Sequence, residues 1–167
     1  MGNIRTFGDP VLKERAKPVV AFDEKVKRLA DLMTEVMARE GGVGLAATQL
    51  GVLSRVIVWK KPEEEGELYV FVNPEITEQS ESCSSAEEGC LSVPGASVEV
   101  SRADEVTVIA QDVEGATQEM RLSGFLARIV QHEIDHLDGY LIVDRAEPEE
   151  RRRVLKELRE RSLVAGT

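Results

Sequence analysis

"SGFLARIVQHEIDHLDG", residues 123–139, carries both histidines of a 167-residue chain, and its reading decides what the rest of the sequence must supply. Phe125, Leu126, Ile129, Val130, Ile134 and Leu137 recur at the intervals of a helix with an apolar surface, and Gly139 can end it. His132 and His136 stand four apart, so they lie one above the other on one helical face. Two neutral imidazoles at that spacing can grip a single transition metal. Glu133 between them can accept a proton from a water that the metal activates. The competing reading is an ordinary amphipathic helix with two stray histidines. Polar groups within an apolar helix are costly unless satisfied, and no histidine occurs elsewhere in the chain.

Such a helix needs a scaffold, and the flanking sequence predicts one. "FDEKVKRLADLMTEVMAREGG" (22–42) has helical periodicity, with Asp23 as N-cap and Gly41–Gly42 as the stop. "SRVIVWK" (54–60) and "LYVFVNP" (68–74) read as strands about the turn "PEEEGE", and "EVTVIAQDVEGATQEMRL" (105–122) as a hairpin turning near Glu114–Gly115. "EERRRVLKELRER" (149–161) reads as a C-terminal helix with a modest apolar stripe of Val154, Leu155 and Leu158. Helices early and late with strands between them predict an α+β fold. We expect a single domain over 1–167, with antiparallel sheets around the central histidine helix and a helix at each end. A composition of 42% hydrophobic and 31% charged residues suits one buried core. The net charge of −10 argues against nucleic acid as the main partner. No apolar run reaches the length of a membrane span, and "MGNIRTFGDP" lacks the core of a secretory signal, so a cytoplasmic protein is expected.

Two histidines do not complete a catalytic metal site, which commonly takes three protein ligands and an open position. An extended pattern with a third histidine would need one at 142, where isoleucine stands. A downstream glutamate (Glu147, Glu149, Glu150 or Glu157) would make a zinc peptidase. A cysteine is the other choice. Cys90 lies in "EEGCLSVPG" (87–95), and Cys83 in the polar stretch "QSESCSSAEE", which has the look of a loop. Using both cysteines would give a closed Cys2His2 site without chemistry. "GGVGLAATQLG" (41–51) lets the backbone approach a ligand and offers Gln49, whose amide can donate to an oxyanion, but it reads equally well as a glycine-rich helix stop.

"GVGLAATQ" (42–49), "EGCLS" (88–92) and "QHEIDH" (131–136), in that order and spacing, resemble the three motifs of the peptide deformylases. The likeness extends over essentially the whole chain, from "FGDPVLKERAKPV" to the C-terminal helix. It implies that Cys90, His132 and His136 bind one divalent metal with water as fourth ligand, and it leaves Cys83 no part in that site. The activity implied is removal of the formyl group from the N-terminal methionine of nascent peptides. Glu133 would move the protons, and the Gln49 amide and Leu91 backbone N–H would stabilise the oxyanion. Val43, Phe125, Ile129 and the His132 ring would line the methionine pocket, with Gly44 and Gly89 along the peptide. Arg128 fits this pocket less simply, either snorkelling outward or bordering its mouth. Glu88 would hold Arg102 and steady the cysteine loop, unless the two form only a surface ion pair. The resemblance also implies Fe²⁺ as the working metal, with Zn²⁺, Ni²⁺ or Co²⁺ able to substitute. It suggests ribosome docking through 149–161, by a chain expected to be a monomer.

Overall fold

The computed structural model describes residues 2–63 and 65–165. Helix α1 spans Glu24–Arg39, and the Asp23 carboxylate accepts the Lys25 N–H at 3.0 Å to cap it. Gly41, with φ +70°, lets the chain leave the helix at its far end. Seven strands follow: β1 Gly44–Ala46, β2 Val56–Lys60, β3 Leu68–Gln79, β4 Cys83–Glu88, β5 Val98–Ala103, β6 Glu105–Gln111 and β7 Thr117–Ser123. Then come α2 (Gly124–Leu137) and α3 (Pro148–Ala165). Five strands form one antiparallel sheet in the order β1-β2-β3-β6-β7, and β4 and β5 pair as a separate antiparallel ribbon. None of the described helices is long and apolar enough to cross a membrane.

Strand β2 explains the layering. Side chains alternate across a strand. Val56 and Val58 join Met33, Val36 and Met37 of α1 on one face, whereas Ile57 and Trp59 join Ala127, Ile129 and Val130 of α2 on the other. Val56, Ile57, Val58 and Trp59 are fully buried, and each of the three aliphatic side chains contributes about 1.5–3 kcal/mol by leaving water. The sheet is thus sandwiched between two helices, and α2 also touches the β4–β5 ribbon. A third cluster packs Val154 and Leu158 of α3 against Val98 and Val100 of β5, using the stripe predicted for the C-terminal helix.

The α+β class, the helices and the hairpin register (Gln111 opposite Thr117) agree with the sequence expectation. Three details differ. Residues 83–88, expected as loop, form β4; its side chains are exposed up to Glu88, so no apolar alternation marks it. Gly44–Ala46 is an edge strand followed by a 3-10 turn at Ala47–Leu50, rather than the trailing end of α1. Strand β3 also continues past Pro74, because a register shift between Val72 and Glu75 accommodates the missing N–H.

Candidate active site

Helix α2 carries His132 and His136 into the gap between the main sheet and the ribbon. Cys90 meets them from the ribbon side, two residues past the end of β4, where the Val93 N–H donates to the Cys90 carbonyl at 3.0 Å and turns the chain. Donor atoms of Cys90, His132 and His136 all lie within 4.8 Å of one another. Cys90 Sγ is 3.3 Å from His136 Nε2, which is 3.3 Å from His132 Nε2. Tetrahedral edges are about 1.6 times the bond length, so nitrogen ligands at about 2.0–2.1 Å from one cation would stand about 3.3 Å apart. The three donors therefore fit a transition-metal ion. Cys83 is not in this group: it opens β4, seven residues before Cys90, which in an extended strand is roughly 20 Å away. Nor are Glu147 or the glutamates of α3, where Glu150 and Glu157 both accept from Arg153. The closed Cys2His2 site and the His-His-Glu peptidase site both fail on this geometry.

Behind the ligands sits a buried charge network. Glu88 and Arg102 are each 6% exposed, so they are no surface ion pair. Each Glu88 oxygen has two donors: Oε1 accepts from Arg102 Nη2 at 2.9 Å and faces His132 Nδ1 at 2.9 Å, while Oε2 accepts from Arg102 Nε at 3.0 Å and Arg128 Nη1 at 2.6 Å. Burial alone would raise the Glu88 pKa, yet the bonds to His132 and Arg102 hold it well below the usual carboxylate range. An ionised Glu88 accepts a hydrogen bond from the Nδ1–H of His132, which leaves Nε2 to face Cys90 and His136. Arg102 also donates to Asp135, which accepts two bonds from Arg145 at 2.8 and 3.0 Å. Gln131 ties α2 to the end of β5 by pairing with both the N–H and the carbonyl of Ala103. Sequence reading assigned no part to Gln131, Asp135 or Arg145. The signal available for the first two was the presence of polar residues within the apolar helix.

Burial and the nearby His132 charge push His136 well below its ordinary pKa, which keeps it neutral. Burial works the same way on His132, but the charge of Glu133 and bonds to Cys90 and Glu88 outweigh it and raise the pKa well above normal. The site thus favours positive charge at this spot, whether a proton or a metal carries it. Burial raises Glu133 to about 7, a value suited to a group that takes and returns a proton near neutrality. Its Oε1 is buried without a hydrogen-bond partner among the described residues.

Gln49 is buried, and its Oε1 accepts the Ala46 N–H at 2.9 Å, which fixes the amide orientation. Nε2 then donates to Ser92 Oγ at 3.1 Å and lies 3.8 Å from Cys90 Sγ. Ser92 is thus a further site residue that sequence reading left without a role. The Leu91 N–H has no partner among the described residues. A cleft of about 630 Å³ opens over these groups, walled by Val43, Gly44, Gly89, Leu91, Phe125 and Ile129, while His136 closes the site from behind. The two glycines differ. A Cβ on Gly89 meets nothing within 4 Å, whereas one on Gly44 would stand 2.6 Å from Glu133 Oε2. Gly44 is therefore required first by the Glu133 carboxylate, a different reason from the peptide contact expected of it. Arg128 does not snorkel: it lines the cleft and donates to Glu88, Val100 O and Ser84 O of the ribbon.

Known proteins place this arrangement. The family model for polypeptide deformylase matches residues 1–152. Peptide deformylase of Dictyoglomus thermophilum is 52% identical over 143 residues, covering 86% of this chain and 91% of that protein. The enzyme of Thermotoga neapolitana is 48% identical over 158 residues, covering 95% and 94%. The crystal structure of a peptide deformylase from Legionella pneumophila superposes with a TM-score of 0.89 at 41% identity, covering 98% of this chain and 96% of that one. Matched in sequence over nearly its whole length and in overall fold, the chain belongs to the polypeptide deformylase family, metal-dependent hydrolases that remove the N-formyl group from nascent peptides.

Proposed function

We propose that in this chain Cys90, His132 and His136 hold one divalent cation, and that Glu133, Gln49 and the Leu91 N–H remove the formyl group beside it. The observation that carries this reading is the convergence of three donor atoms within 4.8 Å next to a buried Glu133 oxygen that has no partner among the described residues. A bound cation supplies Lewis acidity, polarising the formyl oxygen and making a neighbouring water easier to deprotonate. Glu133 takes that water's proton as the water oxygen bonds to the formyl carbon. The Gln49 amide and the Leu91 N–H donate to the oxyanion that develops on the formyl oxygen. Glu133 then passes its proton to the nitrogen as the C–N bond breaks, and formate and a free N-terminus leave. Val43, Phe125, Ile129 and the His132 ring receive the methionine side chain, and the backbone at Gly44 and Gly89 flanks the peptide.

Ferrous iron is the resident cation in this reading, with zinc, nickel or cobalt able to replace it. Its support is the family resemblance, because a Cys-His-His set suits all four. The same resemblance suggests ribosome docking through residues 149–161, most of α3, by a cytoplasmic monomer. The test of the site is formate release from a formyl-Met-Ala-Ser peptide by protein loaded anaerobically with ferrous iron or with nickel. Release should vanish in Glu133→Ala with its metal retained, and in Cys90→Ala through loss of metal. Full activity in metal-loaded Glu133→Ala would refute the proton-transfer role.

A further inference from the structure

Arg128 is the only arginine or lysine lining the cleft among the described residues. It stands on the face of α2 that also presents Phe125, Ile129 and His132, where an apolar residue would be expected. Its side chain is only 12% exposed, so it is not a solvated charge. Nη1 donates to Glu88 Oε2 at 2.6 Å and to the Val100 carbonyl at 3.0 Å, and Nη2 donates to the Ser84 carbonyl at 2.7 Å. The guanidinium is thereby strung from α2 to both strands of the β4–β5 ribbon. A planar fork held at three acceptors cannot swing aside as a free lysine would. Because those bonds are made inside the protein, its charge is tolerated beside apolar side chains.

Building on the deformylase roles assigned above, we propose that Arg128 is a specificity-determining residue that forms the end wall of the pocket for the first residue's side chain. Val43, Phe125 and Ile129 supply apolar sides that suit any unbranched chain but do not limit its length. The tethered guanidinium limits it. A side chain as long as methionine's is accommodated, and a longer one meets a wall that cannot retreat without breaking three hydrogen bonds.

The test compares formyl-methionyl-Ala-Ser with formyl-ethionyl-Ala-Ser, whose S-ethyl group is one methylene longer, on wild type, Arg128→Ala and Arg128→Met. Measured on one protein sample, the ratio of the two kcat/KM values is independent of metal loading and folded fraction. That matters because Arg128 also supports Glu88. Wild type should favour the methionyl peptide. Removing the fork should raise the ethionyl-to-methionyl ratio by about tenfold or more, the lower end of what one methylene is worth in an apolar pocket. A purely structural role would depress both substrates together, so a ratio within about twofold of wild type in both variants would overturn the assignment. A wild type that releases formate from neither peptide would instead overturn the catalytic roles, and this inference with them.

Discussion

Replacing Gly44 with alanine should nearly silence the enzyme while leaving it folded and metallated. The new Cβ would stand 2.6 Å from Glu133 Oε2 and 3.0 Å from Glu133 Cδ and Cγ. Restoring ordinary contact moves the carboxylate by about 0.8 Å or more, since non-bonded heavy atoms settle at roughly 3.5 Å. A misplacement near 1 Å at a reacting group costs about 100-fold in rate. The fold has little reason to object. Gly44 does not sit at a positive φ, and an alanine compatible with the backbone stabilises by about 0.4–1 kcal/mol through the unfolded chain, which offsets part of the crowding. The assay is formate release, with metal content and thermal denaturation measured on the same sample. We expect kcat to fall about 100-fold with one metal per chain retained, and no further fall when Gly44→Ala is added to Glu133→Ala, because both act through one carboxylate. A folded, metallated Gly44→Ala within about threefold of wild-type kcat would refute the reasoning. So would an activity loss that tracks loss of metal.

Other expectations follow from the same contacts. Gly89→Ala adds a Cβ that meets nothing within 4 Å, so stability should be unchanged and any effect should fall on KM, where the peptide passes. Glu88→Gln leaves the buried Arg102 short of its partner; denaturant unfolding should show a loss of about 3–5 kcal/mol, and chelator competition a metal affinity weaker by about 10–100-fold. Cys83→Ser should keep full metal content and activity, because Cys83 lies outside the donor cluster; loss of metal would reinstate the two-cysteine site. The Asp9 carboxyl is held below its ordinary value of 3.8, first by the Val11 N–H and then by Arg5. A depressed folded pKa contributes stability that is present above the unfolded value and lost as pH falls below it. Urea unfolding between about pH 5 and pH 2.5 should therefore decline less steeply in Asp9→Asn than in wild type.

What the sequence made legible, and what it hid, divides along a physical line. Helices α1 and α2 were readable because their apolar faces recur within one chain segment, and because Asp23 and Gly139 mark an end of each. The hairpin of β6 and β7 was readable for the same local reason. Strand β4 was not: it lies on a two-stranded ribbon with one face in solvent, and residues 83–87 bury nothing that would write a period into the sequence. The edge strand β1 was hidden differently. Three residues are too few for an alternation, and its glycine answers to Glu133 on another element.

The site divides in the same way. His132 and His136 announce themselves because one helical turn places them together, whereas Cys90 is 42 residues upstream and joined them only through the three motifs taken as a set. The supporting charges carry no local mark, since the contacts that define them cross the chain: Arg102 reaches Glu88 and Asp135, and Arg128 reaches Glu88, Val100 and Ser84. Periodicity correctly put Arg128 on the face shared with Phe125 and Ile129, yet it says nothing of what stands across the gap. The β4–β5 ribbon stands there, turning toward α2 the Ser84 and Val100 carbonyls that Arg128 holds. A charge that looked misplaced on an apolar stripe is therefore one of the ties, with Gln131 and Asp135, between the helix that carries two of the proposed ligands and the ribbon that leads to the third. For that reason, shortening Arg128 should alter which side chain the cleft admits as well as how firmly Glu88 is held.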